Sequence, residues 1–244
     1  MANRQISPLP VRRVDGDPGA ESRSGWPWSM TAVGQLLLQG LDLGPVTVLV
    51  GETGSGKSTL VEAIAMAYGM SREGGSTGAR HSTRESESEL WADLRLVRGA
   101  GASKWGFFLR AETMHGFYSY LEAHPGRTPE PKFHEMSHGE SFLALLASGR
   151  FEDKGLYVLD EPESALSFSG CLALVGVLHK ITRNGKAQAI LATHSPIVAS
   201  IPGAHIYELG DWGYRRTPWN ELDLVRNWQA FLGSPDRYLR HVVS

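Results

Sequence analysis

The chain has 244 residues, enough for one large domain with its own core or two small ones. Its formal net charge of −2 removes any argument for nucleic-acid binding from bulk basicity. The single cysteine, Cys171, excludes an internal disulfide framework and fits a reducing compartment. No stretch approaches eighteen consecutive apolar residues, and the opening MANRQISPLPVRR has no apolar signal core, so the expectation is a cytoplasmic protein without a transmembrane segment.

Residues 1–25, rich in Pro, Gly, Arg and Asp, are expected to form a loose lead-in with at most a short strand around Val11–Val14. The rest, 26–244, reads as one domain. The β-branched run PVTVLV (45–50) is the pattern of a strand buried on both faces. Leu60, Val61, Ile64, Ala65 and Tyr68 then recur at helical spacing, closed by Gly69. Residues 71–90 read as a solvated polar loop. GFFLRAE (106–112), GLYVLD (155–160) and AQAILAT (187–193) are strand-like, SALSFSGCLALVGVLHKI (164–181) is helical, and the tail carries a strand near His205–Leu209 and helices over 219–232 and 235–242. Strands alternating with helices predict an α/β fold with a mostly parallel central sheet.

Between the first buried strand and its helix lies Gly51-Glu52-Thr53-Gly54-Ser55-Gly56-Lys57-Ser58-Thr59, which fits G-x-x-x-x-G-K-[ST]. Glycines let backbone N–H groups turn towards phosphate oxygens, and a helix N-terminus adds positive potential. Lys57 is then the charge for the β- and γ-phosphates, and the Ser58 hydroxyl a Mg²⁺ ligand. The strand 155–160 ends in Asp160 and Glu161, and ligands of open parallel sheets sit beyond the carboxyl ends of strands. Asp160 is the candidate Mg²⁺ ligand, and Glu161 the candidate group that orients and deprotonates a water. His194 ends a strand one strand–helix–strand unit later and is placed to sense a terminal phosphate. Residues 136–145, MSHGESFLAL, hold a capping box of Ser137 and Glu140 ahead of an apolar run.

With these pieces in order, the sequence resembles the ATP-binding-cassette (ABC) superfamily of ATPases. The branch it resembles contains chromosome-maintenance and DNA-repair heads, OLD-type ATPases and stand-alone bacterial ATPases. GETGSGKST looks like the Walker A motif, LYVLDEPE the Walker B motif with its catalytic glutamate, ATHSP the switch-histidine loop, and SHGES the signature motif. The resemblance implies a P-loop ATPase head with an antiparallel β portion on its N-terminal side and a short lid and signature insertion at about 113–140. It implies ATP and Mg²⁺ as cofactors. It also implies an ATP-dependent homodimer in which Ser137 and Gly139 of one copy reach the γ-phosphate held by the other. Glu112 takes the place of the lid glutamine, SHGES replaces the LSGGQ of transporters, and Ser167 stands where many members keep an aspartate.

Three functions compete at this stage. One is a stand-alone ATPase that switches a protein or nucleic-acid process, and another is the ATP subunit of an ABC membrane transporter. The last is a small-molecule kinase. The segment between Glu112 and Ser137 is short and carries three prolines, unlike the helical subdomain that receives a transporter's membrane partner, and a kinase has no use for SHGES or ATHSP.

Overall fold

The computed structural model describes residues 9–21, 23–71, 74–77, 88–110, 136, 140–141, 144–145, 154–183, 185–240 and 242–243. Its centre is a seven-stranded sheet in the order β10-β9-β3-β8-β7-β6-β4. The strands are β3 (Val46–Gly51), β4 (Gly75–Ser76), β6 (Gly106–Arg110), β7 (Gly155–Asp160), β8 (Ala187–Thr193), β9 (His205–Gly210) and β10 (Gly213–Arg216). The five inner strands, β9, β3, β8, β7 and β6, run parallel, and β10 and β4 pair antiparallel at the edges.

The parallel strands are buried on both faces, which is why they read as continuous apolar runs instead of alternating ones. Their side chains alternate between two cores. Val46, Val48, Val50, Tyr157 and Leu159 face helix α3 (Phe168–Thr182), with Leu174, Leu178 and Ile181 packed against them. Leu49, Leu156, Val158 and Ile190 face the opposite layer, made by α1 (Thr31–Gln39) and α2 (Lys57–Tyr68). The helix α2 begins at Lys57 because Gly56 turns left-handed before it, and Gly69, at φ 99°, closes it by donating to the carbonyls of Ala65 and Met66. The apolar face holding Leu60, Val61 and Ile64 is almost wholly buried, contributing about 1.5–3 kcal/mol per large side chain.

A three-stranded antiparallel sheet, β2-β1-β5, lies on the N-terminal side, as the resemblance implies. It is built from β1 (Arg13–Gly16), β2 (Leu41–Asp42) and β5 (Leu94–Val97). The lead-in is anchored there: Val11 and Val14 are fully buried. Gln188, buried inside β8, accepts from Val11 N at 2.9 Å and donates to Val11 O at 2.6 Å and Gly44 O at 2.9 Å. One amide thus ties residues 177 positions apart and pairs Val11 N, Val11 O and Gly44 O at that junction.

Where the sequence suggests helix over 164–181, a 3₁₀ turn at Pro162–Ala165 comes first, and α3 starts after Ser167, whose hydroxyl accepts from Gly170 N. The helical reading of 219–232 likewise splits into a 3₁₀ turn at Trp219–Glu221 and α4 (Asp223–Gly233), followed by α5 (Pro235–Leu239). Helix α1 and the short strands β2, β4, β5 and β10 carry no clear period of their own. Their formation depends on pairing and packing with distant residues. Within 136–145, Glu140, Ser141, Ala144 and Leu145 are helical and Leu145 is buried in the α3-side core; Ser137 lies outside the described residues.

Candidate functional site

The carboxyl ends of β3, β8, β7 and β6 lie side by side, and those of β3, β8 and β7 carry or adjoin residues singled out above. The loop after β3 needs its glycines. Gly54 and Gly56 stand at φ 84° and 96°, where L side chains are strained, and a Cβ on Gly51 would come within 2.5 Å of Leu209 O. Lys57 is 3% exposed. Its ammonium donates to Gly51 O at 2.8 Å and Glu52 O at 3.0 Å, so the cation is held by the carbonyls of its own loop. Burial pushes its pKa down, against the upward pull of Glu161 and Asp160. The Ser55 hydroxyl in the same loop is buried with no hydrogen-bond partner, a donor available to an anion.

Asp160 ends β7 and is buried. Its Oδ1 is buried without a hydrogen-bond partner, while Oδ2 accepts from Arg110 Nε at 3.1 Å. Among the described residues no cluster of three or more His, Cys, Asp or Glu forms a metal cage. Mg²⁺ in nucleotide sites is bound through one or two carboxylates together with phosphate oxygens. Asp160 Oδ1 and the Ser58 hydroxyl are the hard oxygen donors that fit such an ion.

Glu161 has φ 48° and ψ 50°, the positive-φ non-glycine residue among those described. Its backbone N–H donates to Ala192 O at 2.9 Å, clamping the turn against β8. Strain of this kind persists only where the surroundings over-determine the backbone. The turn directs the carboxylate to His194, just beyond β8: His194 Nε2 lies 3.4 Å from Glu161 Oε1, and both side chains are partly exposed. Glu163, two residues on, reaches the same loop from the other side, its Oε1 accepting from His194 N at 2.5 Å.

Two further residues were not legible as site candidates. Arg110, the last described residue of β6, stands opposite Asp160 in parallel register and bridges it to Glu62 of α2 at 2.6 Å. Trp26 borders a cavity of about 170 Å³ whose other walls include Ser58, Thr59 and Ala63 of the first turns of α2. It is 53% exposed. Trp28, two positions on, is committed elsewhere: its indole donates to Asp93 at 2.7 Å and Arg23 lies 5.3 Å over its ring. Glu163 had a faint signal as the fourth residue of the D-E-P-E turn; Arg110 had none beyond its place at a strand end. Glu112, Ser137 and Gly139 lie outside the described residues.

The family model described as "AAA domain, putative AbiEii toxin, Type IV TA system" matches residues 68–200, and one described as "AAA domain" matches residues 35–95. The aliphatic sulfonates import ATP-binding protein SsuB 2 of Streptomyces avermitilis is 30% identical over 176 residues, which are 65% of this chain and 64% of that protein. The chain thus spans somewhat less than two thirds of that relative's length. Among solved structures, "an inward-facing conformation of a putative metal-chelate type ABC transporter" superposes with a TM-score of 0.50 at 15% identity, covering 92% of this chain and 89% of that one, a likeness of fold alone. The SMC head domain from Thermotoga maritima aligns at a TM-score of 0.42 and 17% identity, over 73% of this chain and 92% of that one. With the first family model covering more than half of its length, the chain belongs to that AAA-domain family and is an ATPase of the AAA/ABC class.

Proposed function

We propose that the protein binds Mg-ATP at the sheet edge formed by β3, β8 and β7, hydrolyses it, and does so as a pair of copies closed around two nucleotides. The observation that carries this reading is the 3.4 Å approach of His194 to Glu161 beside the glycine loop and the unpartnered Asp160 oxygen. The glycine loop from Gly51 to Thr59 cradles the phosphates through its N–H groups, and Lys57 exchanges its carbonyl partners for phosphate oxygens. Asp160 and Ser58 hold Mg²⁺, which neutralises phosphate charge when bound. Glu161 orients the attacking water and accepts its proton, and His194 steadies both the carboxylate and the terminal phosphate. Trp26 is the stacking surface for the base, since it stands over the cavity beside Ser58 and Thr59. Ser137 and Gly139 complete the partner's site, and Glu112 belongs to the lid. The cycle drives a partner protein or a nucleic-acid process.

The test uses Glu161→Gln, which keeps the shape of the side chain and removes the base. The variant is expected to bind ATP, lose turnover, and elute as a dimer with ATP and Mg²⁺. Ser137→Arg is expected to retain ATP binding and lose turnover. A Glu161→Gln chain that stays monomeric while still hydrolysing ATP overturns the reading.

A second reading, the ATP subunit of an ABC transporter, has the name of the SsuB 2 relative in its favour. Against it stands the short segment between Glu112 and Ser137 with its three prolines. Co-purification with an integral membrane protein would favour it over the stand-alone reading.

A further inference from the structure

Asp160 is not waiting alone for a cation. Arg110 Nε lies 3.1 Å from Asp160 Oδ2, and Arg110 Nη2 lies 2.6 Å from Glu62 Oε2. All three side chains are mostly shielded, with exposures of 21%, 17% and 6% for Arg110, Glu62 and Asp160, so solvent screens these charges little. The bridge is built by the backbone: register in the parallel sheet sets Arg110 opposite Asp160. Helix α2 brings Glu62 to the same point, on the helix that also carries Lys57 and Ser58. A guanidinium keeps its proton in proteins, so Arg110 is a fixed cation held between Glu62 and Asp160.

Resting on the Mg-ATP reading above, we propose that Arg110 is a positioning residue for Asp160, a resident counter-ion with which any metal at that carboxylate must share charge. Glu62 is the second anchor that sets how strongly Arg110 holds it. Arg110 orients Asp160 through Oδ2, which leaves Oδ1 as the oxygen presented to a divalent ion. It also lowers the site's affinity for that ion, because a fixed positive charge beside the ligand opposes a second one. Glu62 offsets part of this by drawing the guanidinium's charge towards α2. Uptake of metal is thereby kept dependent on the charge of the nucleotide phosphates.

The experiment measures Mn²⁺ binding to the full chain by electron paramagnetic resonance, with a non-hydrolysable ATP analogue present. Circular dichroism melting of each variant accompanies it. Arg110→Met is expected to bind Mn²⁺ tighter by on the order of tenfold, the scale on which a neighbouring full charge shifts a carboxylate's equilibrium. Glu62→Gln is expected to bind it several-fold weaker. Damage to the fold weakens metal binding, so the gain in Arg110→Met is a readout that a merely structural arginine does not produce. Equal or weaker binding in Arg110→Met overturns the inference while leaving the nucleotide reading in place. If Arg110→Met does not fold, Glu62→Gln decides, and binding equal to or tighter than wild type overturns it. A wild-type chain that takes up no Mn²⁺ with the analogue overturns the nucleotide reading and this inference with it.

Discussion

The contact from Glu163 to the backbone of His194 allows a sharp separation of binding from turnover. The carboxylate Oε1 accepts from His194 N at 2.5 Å, while Oε2 is buried with no hydrogen-bond partner. Glu163→Ala removes a charge-assisted bond worth about 1.5–3 kcal/mol and leaves the His194 N–H unpaired, but it also removes the buried orphan oxygen, which returns about 1–3 kcal/mol of desolvation. The two nearly offset, so the net loss of stability should be about 1 kcal/mol, or roughly 2–4 °C in Tm for a chain of this size. Turnover should suffer far more. A shift of about 1 Å in a positioned group costs about a hundredfold, and the His194 loop has lost its anchor opposite Glu161. ATP affinity, measured by fluorescent-analogue titration, should stay within about threefold of wild type, because no hydrogen bond links Glu163 to residues 51–59 among those described and its charge is the weakest of the carboxylates acting on Lys57. Glu163→Gln, whose amide oxygen can take the same N–H, should recover much of the lost kcat. The reasoning fails if Glu163→Ala turns over ATP at the wild-type rate. It fails equally if its loss of activity is matched by a loss of nucleotide affinity.

Two other expectations rest on different parts of the molecule. Gln188→Leu orphans Val11 N, Val11 O and Gly44 O and should cost about 3 kcal/mol from three neutral bonds, seen in urea denaturation as a lower midpoint with an unchanged slope; a loss below about 1 kcal/mol contradicts the anchoring role. Trp26→Ala should weaken ATP binding on the order of tenfold through lost stacking, whereas Trp28→Phe should leave it unchanged; isothermal titration that shows the opposite ranking would overturn the assignment of the base to Trp26.

The glycine loop, the D-E-P-E turn and the parallel strands were legible because each is specified locally. Gly54 and Gly56 adopt φ values that few other residues tolerate, and strands buried on both faces must be apolar throughout. Chain order likewise placed His194 one strand after Glu161. Ser137, Gly139 and Glu112, which the resemblance places at the signature and lid, lie outside the described residues. What tertiary structure decided is who meets whom. That β8 lies between β3 and β7 turns a sequence order into the 3.4 Å approach of His194 to Glu161. Arg110 and Glu62 are 48 residues apart, and their joint grip on Asp160 comes from strand register and helix packing, neither of which leaves a periodic trace. Trp26 and Trp28, two positions apart and chemically identical, were divided by Asp93 and Arg23 taking one of them and the α2 cavity the other. A local motif fixes backbone conformation, and only long-range packing sets the charges and rings beside it.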